Sequence, residues 1–151
     1  MGALVEVRSA SEVLATLDPD GKLDGLPFMP EMLQYCGRRF RVFKSAHKTC
    51  DTINKTGARR MDRAVHLENL RCDGAAHGGC QAGCLLFWKE AWLRHIEEPE
   101  AARDARWRSR RRAAPMRRSI GRHDTRAPSP DDEAFACQAT ELFRATAPLR
   151  W

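Results

Sequence analysis

Cys72-Asp-Gly-Ala-Ala-His77-Gly-Gly-Cys80-Gln-Ala-Gly-Cys84-Leu-Leu-Phe-Trp88-Lys-Glu-Ala-Trp92-Leu93 is the stretch on which the reading of this chain turns. Its first thirteen residues hold three thiols and an imidazole, spaced by glycines that let a loop fold back on itself. Zinc and iron–sulfur clusters both need such donors brought to one centre. After the loop, apolar positions 84, 85, 88, 92 and 96, flanked by 91 and 95, follow the three-and-four spacing of an amphipathic helix from Cys80 to about Ile96. On that expected helix Cys80 and Cys84 would share a face, with Cys80 at the N-terminus, where the dipole favours a negative ligand.

The expected ligand set is Cys72, Cys80 and Cys84 with a fourth donor from His77, Cys137 or Cys50. Cys137 would tie the tail to the body, Cys50 would pin the N-terminal strands to the helix, and His77 would close its own loop. The spacing matches neither a doubled C-x2-C zinc ribbon nor a ferredoxin run, so zinc and an iron–sulfur cluster both stay open. Cys36 reads most simply as a small buried residue, His66 and His95 as satisfied structural histidines, and Trp88 and Trp92 as core.

Working outward from the loop, Leu4–Arg8 alternates like a half-buried strand, and Ser9-x-x-Glu12 is a capping box that starts a helix. Asp18-Pro-Asp-Gly21 ends that helix in a turn. Pro30 to Gly37 predicts a short helix, while Arg39–Phe43 and Ala64–Glu68 predict strands with Asn54–Gly57 supplying turn chemistry between them. Short strands, tight turns and one-turn helices predict an α+β chain. Its first part would be a small SH3-like β-barrel followed by the amphipathic helix, with a metal-stapled loop and an irregular C-terminal tail; an OB-like unit would use the same letters. The expected organisation is residues 1–96 as barrel, Cys-rich loop and helix, 97–130 as a disordered arginine-rich linker, and 131–151 as a segment able to pack back on the body.

The net charge of +6 is local in this reading. Residues 101–122 hold nine arginines against one aspartate, a local +8, so the other 129 residues sum to −2. Arg106, Arg108, Arg110, Arg111, Arg112, Arg117 and Arg118 permit nucleic-acid binding by counterion release, with Trp107 as a stacking residue; a solvated linker is the simpler reading. No apolar run reaches a membrane span and no export signal opens the chain, which predicts a cytoplasmic protein with reduced cysteines and no membrane partner.

Leu26-Pro-Phe-Met-Pro-Glu-Met, Tyr35-Cys-Gly, His47-Lys-Thr-Cys, His66-Leu-Glu and His77-Gly-Gly-Cys-Gln-Ala-Gly-Cys with Trp88-Lys-Glu-Ala-Trp-Leu resemble a group of uncharacterised bacterial cysteine-rich proteins. The resemblance spans Val5 to Leu93 and implies an SH3-like module followed by the HGGCQAGC-helix unit. Longer members look as if they carry a second, diverged copy beyond the position matching Trp151, which implies that this chain is a short or truncated member. No activity comes with the resemblance. The residues favour a non-catalytic metal-binding module that engages a protein partner. The alternatives are a thiol or redox protein with Cys80 or a cluster as active group, and nucleic-acid binding through the arginines. No Gly-x-Ser-x-Gly, His-Glu-x-x-His or phosphate-cradling glycine loop supports hydrolase chemistry.

Overall fold

The computed structural model describes residues 2–97 and 137–149. The arginine tract, and with it the linker expected over 97–130, falls almost wholly outside the described residues. The described part is mostly strand with little helix, an α+β arrangement. Strand β1 (Leu4–Val7) turns Val5 and Val7 inward and leads into α1 (Ala10–Leu14). The start of α1 is fixed by its capping box: Ser9 Oγ accepts from the Glu12 amide, and Glu12 Oε2 accepts from the Ser9 amide at 2.9 Å. The Ser9 hydroxyl also donates to Glu12 Oε2 at 2.7 Å, and this bond first, then that of the Ser9 amide, holds the Glu12 carboxyl below its ordinary pKa. Strands β2 (Lys22–Leu23) and β3 (Leu26–Pro27) form a hairpin on Asp24-Gly25, both at positive φ, the signature of a tight two-residue turn. A 3₁₀ helix, η1 (Pro30–Tyr35), follows.

The remaining strands are β4 (Arg39–Ser45), β5 (Lys48–Asp51), β6 (Gly57–Arg60), β7 (Ala64–Leu67), β8 (Trp88–Lys89), β9 (Leu93–His95) and β10 (Ala147–Pro148). Five of them make one antiparallel sheet in the order β8-β7-β4-β1-β9. The edge strands β8 and β9 are joined by one 3₁₀ turn, η2 (Glu90–Trp92), and are not paired with each other, so the sheet is open where a closed barrel was expected. Between β4 and β7 the chain leaves this sheet to build the β5–β6 hairpin, to which β10 adds a third strand. A register shift between Val42 and Lys44 leaves Phe43 as the extra residue of a bulge, and bulges sharpen strand twist.

The helix expected over 80–96 is not formed. Residues 80–84 are irregular, and 85–95 run as a bridge, β8, η2 and β9. Trp88 and Trp92 are fully buried, as their spacing requires, but a strand and a single turn deliver them. Strand partners won the competition: Val65 opposes Trp88 and Val7 opposes Leu93, and aromatic residues suit a pleated surface. The glycines at 78, 79 and 83 sit at positive φ, which denies a helix its start.

The core gathers around the two tryptophans and Phe28, whose ring meets Trp92 edge-on at 5.1 Å and Trp88 at 6.2 Å. His66 is buried against Phe87, with Nδ1 at 3.0 Å from the Leu86 carbonyl oxygen. Burial first, then Lys44 nearby, outweighs that bond and pushes its pKa down, so it is a neutral structural histidine.

Residues 137–149 lie on the body through three polar anchors. The buried Gln138 acts as a surrogate strand: its Oε1 accepts from the Phe87 amide (2.7 Å), and its Nε2 donates to the carbonyls of Phe87 (2.9 Å) and Pro27 (3.0 Å). Buried Arg59 donates to Thr146 Oγ1 (2.6 Å) and to the carbonyls of Thr146 (2.7 Å) and Phe143 (3.1 Å), with Phe143 stacked on its guanidinium. Lys22 pairs with Glu141 at 2.9 Å.

Gln138→Ala strips partners from buried backbone groups on both sides of the core, and is expected to cost about 2–3 kcal/mol. Urea denaturation followed by tryptophan fluorescence measures it; a midpoint equal to that of the parent chain would refute the anchoring role.

Candidate metal centre

A ladder fragment closes the loop of 72–84 at its base. Arg71 bridges Leu85, the Cys72 amide donates to the Cys84 carbonyl at 2.8 Å, and Arg71 reaches the Gly83 carbonyl at 2.8 Å. Cys72 and Cys84 therefore face each other across the loop mouth. Inside the loop, the Gly74 carbonyl accepts from the amides of His77 (3.1 Å) and Gly79 (2.9 Å) and winds the chain into a compact turn. Gly74 has φ +73°, and a Cβ there would collide with the backbone of Cys80, so glycine is required on two counts. The turn delivers the His77 ring inward, where it is buried.

The third participant comes from a distant element. Glu31 lies in the first turn of η1, with its side chain largely buried. Cys72 Sγ lies 3.4 Å from Glu31 Oε1 and 3.3 Å from His77 Nε2, and the ligand atoms of the three residues all fall within 4.8 Å of one another. Among the described residues no other group of three His, Cys, Asp or Glu side chains converges this closely. Two further atoms, Glu31 Oε2 and His77 Nδ1, are buried without a hydrogen-bond partner. Unpaired buried polar atoms are costly and uncommon, so their coincidence here marks a place with donor capacity to spare.

Electrostatics keep the Cys72 thiol protonated. Burial is the largest cause, followed against it by the Gly74 backbone, then by the hydrogen bond to Glu31 and repulsion from Glu31 and Cys137; the result is a pKa pushed up to about 12. Such a thiol is a poor nucleophile near neutrality. A catalytic thiol also needs an acid to orient its histidine, whereas Glu31 bonds the sulfur and His77 Nδ1 is bare. What these groups can do is bind a cation, with the thiol proton released to solvent, which turns the local repulsion into attraction.

The other expected ligands divide into two sets. Cys84 feels burial first, then the charges of Cys137 and Cys80, all raising its pKa, which places those thiols in mutual electrostatic range. Cys137 is half-buried against the core beside Cys72, held by Gln138 and by Thr140, whose Oγ1 accepts from the Cys137 amide at 2.9 Å. Cys80 is exposed on irregular chain, so the helix-terminus argument for a reactive thiolate there does not apply. Cys50 stands apart: it lies exposed on β5 opposite Ala58, in the other sheet. His47 turns to Ser45 Oγ at 2.9 Å, and Cys36 is a partly buried thiol that burial pushes up to about 11. Arg106, Arg108, Arg110, Arg111, Arg112, Arg117 and Arg118 lie outside the described residues.

Glu31 was missed by sequence reasoning. Its one signal is an acid after Pro30 within an otherwise apolar run, Leu26 to Leu33. Comparison with protein-family models, curated proteins and solved structures finds no match to the chain.

With chelator present, burial pushes the Cys72 thiol of the folded chain up to about 12 from an ordinary 9.0, so above 9.0 the folded state holds the proton that the unfolded state has lost. Stability must therefore fall as pH rises through that window, and Cys36 acts in the same direction. Urea midpoints measured across the alkaline range should drop, and drop less in Cys72→Ser. A midpoint flat or rising above 9.0 would contradict the assignment.

Proposed function

We propose that the chain is a zinc-stapled interaction module, with the metal held by Glu31, Cys72, His77 and Cys137. The convergence of the first three residues on one point carries this reading. In a zinc tetrahedron the sulfur lies about 3.5 Å from a neighbouring oxygen or nitrogen ligand, given bonds of roughly 2.3 and 2.0 Å. The separations of 3.4 Å from Cys72 to Glu31 and 3.3 Å from Cys72 to His77 match those edges.

A donor set with a carboxylate and an imidazole favours zinc over an iron–sulfur cluster, which takes its iron ligands from thiolates. Cys137, outside the three-residue cluster, is favoured as fourth ligand because it is half-buried against the same core as Cys72 and because Gln138 beside it is locked into that core. Two spare thiols, Cys80 and Cys84, then flank the metal. A site that takes ligands from η1, the loop and the C-terminal segment is structural in character.

The SH3-like reading is supported by strand order. The sequence β9-β1-β4-β7-β8, with a lone 3₁₀ turn between β8 and β9, is the connectivity of such modules, although the sheet stays open. The same unit would be the module shared with the bacterial cysteine-rich proteins that this chain resembles. No helix among the described residues is long and apolar enough to cross a membrane.

Protein purified without chelator should carry one equivalent of zinc by mass spectrometry of the metal. Cobalt substitution should give a tetrahedral ligand-field spectrum with thiolate charge transfer. Cys72→Ala and His77→Ala should abolish retention, and Cys137→Ser should weaken it while making residues 137–149 easier to proteolyse. Free zinc at about a thousand times its Kd should add roughly 4 kcal/mol to unfolding. A folded chain that retains no zinc and keeps its melting temperature when zinc is added would overturn the proposal.

A further inference from the structure

The arginine tract hides a second basic cluster. Residues 38–63 carry nine lysines and arginines against Asp51 and Asp62, a net +7 that leaves −9 for everything outside this cluster and the 101–122 tract. This cluster is folded: it occupies β4, the β5–β6 hairpin and the turn into β7. Two of its arginines serve the structure, Arg39 against Glu6 at 3.1 Å and Arg59 turned inward. Arg38, Lys44, Lys48, Lys55 and Arg63 are exposed, and among the described residues none of them has an ion pair.

Register brings several of these charges together. Lys48 lies directly opposite Arg60, so both project from the same face of the hairpin, with exposed Cys50 and Ala58 continuing that face. The amide of Ala46 bonds the Ala64 carbonyl and that of Met61 bonds the His47 carbonyl, which sets 44–48 alongside 60–64. Like charges at directly opposed positions oppose strand pairing. Asp62 offsets one of them, at 3.0 Å from Arg60, in a pair so exposed (65% and 71%) that its attraction is weak. Beside these cations Phe43, pushed out by the bulge, is 56% exposed with the Lys44 ammonium 5.5 Å from its ring centroid.

We propose that this face, with Lys44, Lys48, Arg60, Arg63 and Phe43, binds single-stranded nucleic acid. Lys48 and Arg60, opposed on adjacent strands, are about 5 Å apart, and Lys44 and Lys48, four residues apart along the chain, at most about 13 Å, within the reach of long side chains following a phosphate backbone. An exposed aromatic ring on a strand among cations offers a base something to stack on. A bilayer would call for apolar side chains standing clear of the cations, whereas Lys44 lies over the ring of Phe43. The inference does not depend on the metal site.

The test uses the full chain and a labelled single-stranded 20-mer of about that length, read by fluorescence anisotropy near physiological salt. In a background where the seven arginines at 106, 108, 110, 111, 112, 117 and 118 are changed to glutamine, binding should persist. Adding Lys44→Glu, Lys48→Glu and Arg63→Glu should then weaken it more than tenfold and reduce the salt slope by about 2, at about 0.7 per lost phosphate contact. Phe43→Ala should weaken it by about tenfold with the salt slope unchanged. If the triple reversal unfolds the chain, the corresponding glutamine variant makes the same comparison. Equal binding with and without the sheet substitutions overturns the proposal. So does loss of all binding on neutralising the tract alone, or capture by phosphatidylserine vesicles without binding to the oligonucleotide.

Discussion

Glu90, Ala91 and Trp92 have to carry the chain from one edge of a five-stranded sheet to the other. A flat sheet would set its outer strands about 19 Å apart, four spacings of roughly 4.8 Å, while four residue steps span at most about 14 Å. The sheet must therefore curl, and the curl creates the concave side on which Trp88, Trp92, Phe28 and Leu67 are sealed from water. The bulge at Phe43 is where β4, shared between the two halves of the sheet, absorbs the bend. Because the edges approach without pairing, the seam beside them is available to other chain, and the Pro27–Phe87 side of the core is covered by Gln138.

The centre at Cys72 inherits its geometry from the same arrangement. Leu86 to Lys89 must run alongside β7 to reach η2, and this fixes Cys84 opposite Cys72. The glycine turn then brings His77 back, and η1 presents Glu31 from the other side. Of these groups only Glu31 stands on a helix, the short 3₁₀ element η1. Each is held by backbone bonds of the loop base or by the core that η1 caps, which is how a carboxylate, a thiol and an imidazole come together without a regular element carrying two of them.

Local signals were legible in the sequence and long-range ones were not. The Ser9–Glu12 box, the turn at Asp18–Gly21, the Pro30 start and the positions of strands β1, β4 and β7 all read correctly, because each is decided within a few residues, although only β1 alternates in burial. The spacing of Trp88 and Trp92 fits either a helix or a strand broken by one turn, and the partner that decides it, Val7, lies more than eighty residues away along the chain. Glu31 escaped for the same reason, being 41 residues from Cys72. Of the expected ligands, Cys72 and His77 fall within the cluster that converges and were picked out by chemistry alone, whereas Cys50 carries the same chemistry on the other sheet. The +7 of residues 38–63 was masked by arithmetic: one dense arginine tract accounted for the total and drew attention from a cluster nearly as large, spread over strands.

The slot filled by residues 137–149 has an implication for the order of events during synthesis. Its walls come from Lys22, Pro27, Arg59 and Phe87, and the groups that fill it lie 119, 111, 87 and 51 residues further along. The walls leave the ribosome well before their occupant. Until translation passes Thr146, the nascent chain leaves the Pro27 and Phe87 carbonyls without Gln138 and Arg59 without its Phe143 and Thr146 acceptors, an interval in which a chaperone or a second nascent copy can compete for the slot.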